Sequence, residues 1–348
     1  MVTVSVVIPC YNYGHLLPTC LDSVLSQEGV ETRVLIIDDA SPDGSGAVVR
    51  ALAESDSRIE ALVHEVNRGH IATYNEGLDW ADGDYVVLLS SDDLLTPGSL
   101  LRATALMQAH PEVGFTYGYS MYFDGGEPHR PLRLTGHKTR VWAGEDWIER
   151  RCRAADNVIS SPEVVVRTSL QKQVGGYRAD LPHAGDLEMW LRLAAQADVG
   201  VVTGVDQALY RVHDKSMSRT TYATVLADVQ QRYAAFLAVL DSPAGRRLGR
   251  RETLKTMAAR ATARRALWKA SRVVTEPDGT ASEAAQAMAD FAMQIYPSAA
   301  RLPEYRAWIW AKGPARPPLW THVPVALTAL RGRAQSWWFW RSRKWRCA

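Results

Sequence analysis

Over the first 110 residues, short runs of β-branched and aromatic residues alternate with stretches whose apolar positions recur at helical spacing. The runs at 4–8, 33–37, 60–64 and 85–89 predict strands. The stretches at 16–27, 45–55 and 71–80 predict helices; in the first, Leu17, Leu21, Val24 and Leu25 share one face. Strands and helices alternating at this spacing predict βαβ units, and so an α/β fold with a mostly parallel sheet. Residues 111–215 are mixed. Strands are expected at 113–123, 163–167, 199–203 and 208–211, and a helix at 187–197 with Met189, Trp190 and Leu193 turned to the core. From about Thr220 the chain is Ala-rich with helical periodicity. It divides into 1–110 and 111–219, two halves of one α/β domain, and a helical extension over 220–348.

Composition changes this picture little. At 348 residues, 47% hydrophobic and 22% charged, the chain is of ordinary globular make-up. A net charge of +2 leaves no nucleic-acid footprint. Cys10, Cys20, Cys152 and Cys347 lack the paired spacing of a zinc site or disulfide framework, which favours a reducing, cytoplasmic setting. The N-terminal run has no basic n-region, so it does not read as a signal peptide, and no apolar stretch reaches spanning length. The segment 301–348 is rich in Trp and Arg, with Glu304 its one acid. Packing or a homodimer surface is the favoured use of this tail; the alternative is a peripheral membrane contact.

Three acidic groups fall at element boundaries. Asp38-Asp39 ends the second strand, Ser90-Ser91-Asp92-Asp93 ends the fourth, and Asp186 and Glu188 open the helix near Leu187. Singly, each could be a turn cap or a dipole complement. Together they line the sheet edge where open α/β folds hold ligands. Adjacent hard carboxylates there suit Mg²⁺ or Mn²⁺ carrying a phosphate. No Gly-rich phosphate loop follows the first strand. A nucleotide must therefore be held by stacking, by carboxylates and by metal.

In order along residues 1–220 come Val6-Val7-Ile8-Pro9-Cys10-Tyr11-Asn12, Ile36-Ile37-Asp38-Asp39-Ala40-Ser41-Pro42-Asp43, Asn67-Arg68-Gly69, Asn75-Glu76-Gly77 and Leu88-Leu89-Ser90-Ser91-Asp92-Asp93. Val174-Gly175-Gly176-Tyr177, Asp186-Leu187-Glu188-Met189-Trp190-Leu191-Arg192 and Tyr210-Arg211-Val212-His213 follow. With these pieces the chain resembles a family 2 glycosyltransferase of the GT-A fold, a Rossmann-like sheet flanked by helices.

The resemblance implies an inverting, metal-dependent transferase using a UDP- or dTDP-sugar and an unidentified hydroxyl acceptor. It implies that Pro9 and Tyr11 line the base pocket and that Asp39, helped by Asp38, accepts from the pyrimidine N–H. Arg68 would lie near base or phosphates, and Asn75 and Asp92 would belong to the nucleotide-sugar site. Asp93 and His213 would face Mn²⁺ or Mg²⁺, and Asp186 would be the general base. Two departures stand out: Ser90 replaces the first carboxylate of the usual Asp-x-Asp-Asp, and Gly185 replaces the first of the usual Glu-Asp pair. Glu188 cannot substitute, because it lies about 200° round the helix from Asp186. These losses keep open a second reading, a non-catalytic nucleotide-sugar-binding or scaffold protein on the same fold.

Overall fold

The computed structural model describes residues 1–213, 225–273 and 280–312. The described residues fall into two compact units, one holding those of Met1–Trp147 and Asn157–Ser216, the other Ile148–Asp156 and those from Met217 onward.

In the first unit, β1 (Thr3–Cys10), α1 (Leu17–Leu25), β2 (Glu31–Asp38), α2 (Ser45–Ser55), β3 (Ile59–Val63), α3 (His70–Trp80) and β4 (Tyr85–Leu88) alternate as the hydrophobic pattern predicts. β5 (Leu94–Leu95), α4 (Ser99–Ala109), β6 (Val113–Tyr117), β7 (Ser120–Phe123), β8 (Lys138–Trp142) and α5 (Gly144–Ala154) follow, the last assigned to the second unit from Ile148 on. The unit is completed by β9 (Val165–Arg167), α6 (Thr168–Val174), α7 (Gly185–Ala194), β10 (Asp198–Thr203) and β11 (Ala208–Arg211). Eight strands form one sheet in the order β3-β2-β1-β4-β9-β6-β10-β8, and β5-β11-β7 form a second. β1, β2, β3 and β4 run parallel, whereas β9 and β8 are antiparallel to their neighbours. The central strands are apolar on both faces: Val4, Val6, Ile8, Val34, Ile36 and Val87 share one buried cluster with Leu17 and Val24 of α1, while Val7 and Ile37 face α3 at Gly77.

The order β2-β1-β4 sets the site. β1 registers Cys10 against Asp38 of β2 and Val7 against Leu88 of β4, so these three strands finish side by side. Residues just past them, Tyr11, Asp39 and Ser90–Asp93, collect at one carboxyl edge.

Two expectations need correction. The run 113–123 is not one strand but two in different sheets. The break falls at Gly118, where an added Cβ would lie 2.5 Å from Gln207 Cγ and 2.8 Å from the Val202 carbonyl oxygen. Glu163 is not part of a strand, which begins only at Val165; it lies in the preceding turn. Trp190 is core, stacked on Phe115 with ring centroids 6.1 Å apart.

The second unit is helical: α8 (Val225–Leu240), α9 (Arg251–Val273), α10 (Thr280–Ile295) and α11 (Pro303–Ala311). Alanines dominate its core (Ala263, Ala266, Ala270, Ala285, Ala289, Ala292), and Trp308 packs among them. No helix of the described residues is long and apolar enough to cross a membrane. The Trp/Arg-rich tail past residue 312, with Cys347, lies outside the described residues.

Candidate active site

At the ends of β1 and β2, Tyr11 is 46% exposed and Pro9 half-buried, leaving an aromatic face free at the sheet edge. Asp38 and Asp39 behave differently. Asp38 caps its own turn, accepting from Ser41 Oγ at 2.5 Å and Ser41 N at 3.1 Å. Asp39 is buried and accepts from Arg68 N at 2.7 Å, Gly69 N at 2.9 Å and His64 Nδ1 at 2.8 Å. Burial works to raise its pKa, but these donors outweigh it and hold the carboxylate below its ordinary value. His64, which the sequence reading passed over, bridges Asp39 to Glu76 Oε2 at 2.9 Å, and the half-exposed Arg68 pairs with the same Glu76 oxygen at 2.7 Å.

At the end of β4, Asp93 is buried and accepts from Arg211 N at 2.8 Å. Burial and the neighbouring Asp92 push its pKa well above the carboxylate range. Asp92 Oδ2 lies 3.1 Å from His213 Nε2, and the Tyr13 hydroxyl stands 3.3 Å from that nitrogen. Arg211 was also missed; besides its backbone donation, its Nε reaches the Asp92 carbonyl at 2.9 Å. Among the described residues, no three His, Cys, Asp or Glu side chains come together as a ready-made metal cage. The donor chemistry nonetheless fits a hard divalent cation: a buried carboxylate with a second beside it, and an imidazole paired with that second carboxylate.

Asp186 occupies the first turn of α7, where the helix dipole favours an anion. Its carboxyl accepts from Ser161 Oγ at 2.7 Å. Burial raises its pKa; hydrogen bonding from Ser161 and Tyr177, and the charge of His70, pull in the other direction without cancelling the rise. Some of its surface stays open to solvent. Tyr74 packs edge-to-face on both His70 and Tyr177, with centroids 5.5 and 5.6 Å apart, so α3 supplies one wall around this carboxylate.

Asn75 is tied to the backbone of Tyr177. Its Nδ2 donates to Tyr177 O at 2.9 Å and its Oδ1 accepts from Tyr177 N at 2.6 Å. That clamp explains Gly176, where a Cβ would sit 2.3 Å from Asn75 Oδ1. Arg192 binds the same loop from the other side, donating to Gly176 O at 2.7 Å while paired with buried Glu188 at 2.9 Å. Asn75, the Gly-Gly-Tyr stretch and the Glu188–Arg192 pair thus act together to deliver Tyr177 to Asp186. Ser161 carried no signal in the sequence, and Tyr177 only as the end of the Val174–Tyr177 piece; the fold brings both to α7.

Residues 5–160 match the profile of Glycosyl transferase family 2. The O-antigen biosynthesis protein RfbC of Myxococcus xanthus is 31% identical over 216 residues, 61% of this chain but 16% of that protein's length. Staphylococcus aureus TarS residues 1–349, solved with UDP-GlcNAc, superposes with a TM-score of 0.63 at 16% identity, covering 88% of this chain and 87% of that one. The mannosyltransferase PcManGT of Pyrobaculum calidifontis, solved with GDP-Man and Mn²⁺, does so at 0.52 and 19%, covering 89% and 88%. Residues 5–160 are thus similar to glycosyl transferase family 2, and the chain shares the GT-A-type fold of these solved structures.

Proposed function

We propose that the chain is an inverting, metal-dependent glycosyltransferase that moves a sugar from a UDP- or dTDP-sugar to an acceptor hydroxyl, with Asp186 as general base. Residues 1–110 form the donor half of the catalytic domain, 111–219 the acceptor half, and 220–348 a C-terminal extension whose described residues are helical. The observation that carries this reading is Asp186 itself. A largely buried carboxylate whose hydrogen bonds come from neutral hydroxyls costs stability. A scaffold gains nothing from it, whereas a base needs it.

Tyr11 stacks on the nucleotide base, Pro9 lines the pocket and Asp39 accepts from the base N–H. Arg68 is at hand for the phosphates, and Asp92 for the ribose or sugar. Asp93 and His213 would hold Mn²⁺ or Mg²⁺, whose charge would offset that developing on the nucleoside diphosphate. The acceptor oxygen attacks the anomeric carbon as the bond to the diphosphate breaks, and Asp186 takes the acceptor's proton. The carbon passes through an oxocarbenium-like transition state and its configuration inverts. Complexes with UDP-GlcNAc and with GDP-Man and Mn²⁺ on the same fold support a nucleotide-sugar donor.

A thermal-shift panel of UDP, dTDP and GDP, each with and without Mn²⁺, tests the donor assignment. UDP or dTDP should raise the melting temperature more with Mn²⁺ than without, and GDP should not. Equal responses to all three would remove the base-pocket assignment.

A further inference from the structure

We infer that Ser161 is a positioning residue for the transfer: its hydroxyl, presented from a left-handed backbone conformation, donates to Asp186 Oδ2 at 2.7 Å and holds in place the carboxylate that receives the acceptor's proton. The inference rests on the reading of Asp186 as the base.

Ser161 has φ +89°, farther into the positive region than Asn12 at +63°, Ala40 at +57° or Ala155 at +49°. Residues with a Cβ avoid this region, and outliers of this kind gather at functional sites. If only the turn were needed, glycine would make it without strain. The turn is also fixed without the Ser161 hydroxyl. Val164 N donates to Ser161 O at 3.0 Å, and Ser160 N donates to Glu163 Oε1 at 3.0 Å. Buried Glu163 accepts from Ser120 Oγ at 2.5 Å, and Ser160 Oγ lies 3.0 Å from the Tyr122 hydroxyl. What remains for the Ser161 hydroxyl is Asp186.

A donor to the charged form of a carboxyl favours that form. Ser161 therefore works against burial and extends the ionised range of Asp186 toward lower pH. The other groups facing this carboxyl are His70 and Tyr74 of α3, Tyr177 after α6, and Tyr210 of β11. His70 is the one of these whose charge opposes the effect of burial on Asp186, so it is kept unchanged when the base is probed.

The test uses Ser161→Gly, which relieves the left-handed strain, and Ser161→Ala, which keeps the Cβ; both remove the hydroxyl. Urea unfolding across pH is compared for the full chain, Asp186→Asn, each Ser161 variant and each double variant. The pH at which the Asp186→Asn difference changes reports the Asp186 proton affinity without any substrate. Release of UDP from UDP-glucose and from UDP-N-acetylglucosamine, with Mn²⁺ and with water as acceptor, reports the acid limb of turnover. Both should move up by about one pH unit, a roughly tenfold gain in proton affinity, while Ser161→Gly melts no lower than the parent. If the stability crossing moves but the acid limb stays, the base reading falls and this inference with it. If neither moves while Asp186→Asn still abolishes UDP release, the base stands and the inference alone is overturned.

Discussion

Asp186 joins a cost in stability to a use in chemistry. Its pKa is raised in the folded chain, so folding favours the protonated form. Its favourable contribution is complete below the unfolded carboxyl value and is lost as pH rises through the folded one. At pH 7 the ionised, largely buried carboxylate therefore destabilises the fold. Asp186→Asn, which keeps an acceptor for Ser161, should raise the melting temperature at pH 7 and not at pH 3. The same shift sets the turnover profile. As pH falls through the folded value the base gains its proton, so the acid limb of kcat/KM should lie above 3.8, the ordinary value for an aspartate. A limb at or below that value would show that another group titrates. Asp39 shifts the opposite way, its carboxylate stabilised by Arg68 N, His64 and Gly69 N. Asp39→Ala should take the acceptor from the Arg68 backbone N–H, while Gly69 N keeps Asn67 Oδ1 at 3.1 Å, and cost about 1–3 kcal/mol. It should also abolish the nucleotide-induced thermal shift.

Among the elements, α3 bears on both ends of the site. It carries His70, Tyr74, Asn75 and Glu76, and it packs on β1 at Gly77, where a Cβ would fall 2.1 Å from Val7 Cγ1 and 3.2 Å from Ile37 Cδ1. Gly77→Ala should therefore push α3 off the sheet and destabilise the chain by about 1–3 kcal/mol in urea unfolding. Unchanged unfolding would mean that α3 adjusts freely. Strand and helix periodicity made β1 to β4 and α1 to α3 legible, because their buried faces are continuous. β8 escaped notice: at the sheet edge, Lys138, Thr139 and Arg140 are exposed, so no apolar alternation marks it. α5 escaped for a like reason, its Glu-Asp and Arg-rich turns masking buried Trp147, Ile148 and Cys152. The split of β6 from β7 depends on the contact of Gly118 with residues about 85 positions later, which no local pattern records.

On the scale of the molecule, residues 5–160 carry the family likeness, and Asp186 and His213 lie beyond that stretch. The carboxylates were legible because they end strands; their division of labour was not. Asp38 as a turn cap, Asn75 as a loop clamp and Ser161 as a donor to Asp186 all depend on partners 3 to 102 residues away. The account's central claim, that donor binding and proton removal belong to different carboxylates of one site, is tested most directly by Asp186→Asn. UDP release from a UDP-sugar with Mn²⁺ should fall by about 10²- to 10⁴-fold, while the thermal shift given by UDP and Mn²⁺ stays at the parent value. A variant that turns over at the parent rate, or that loses turnover and nucleotide response together, would contradict it.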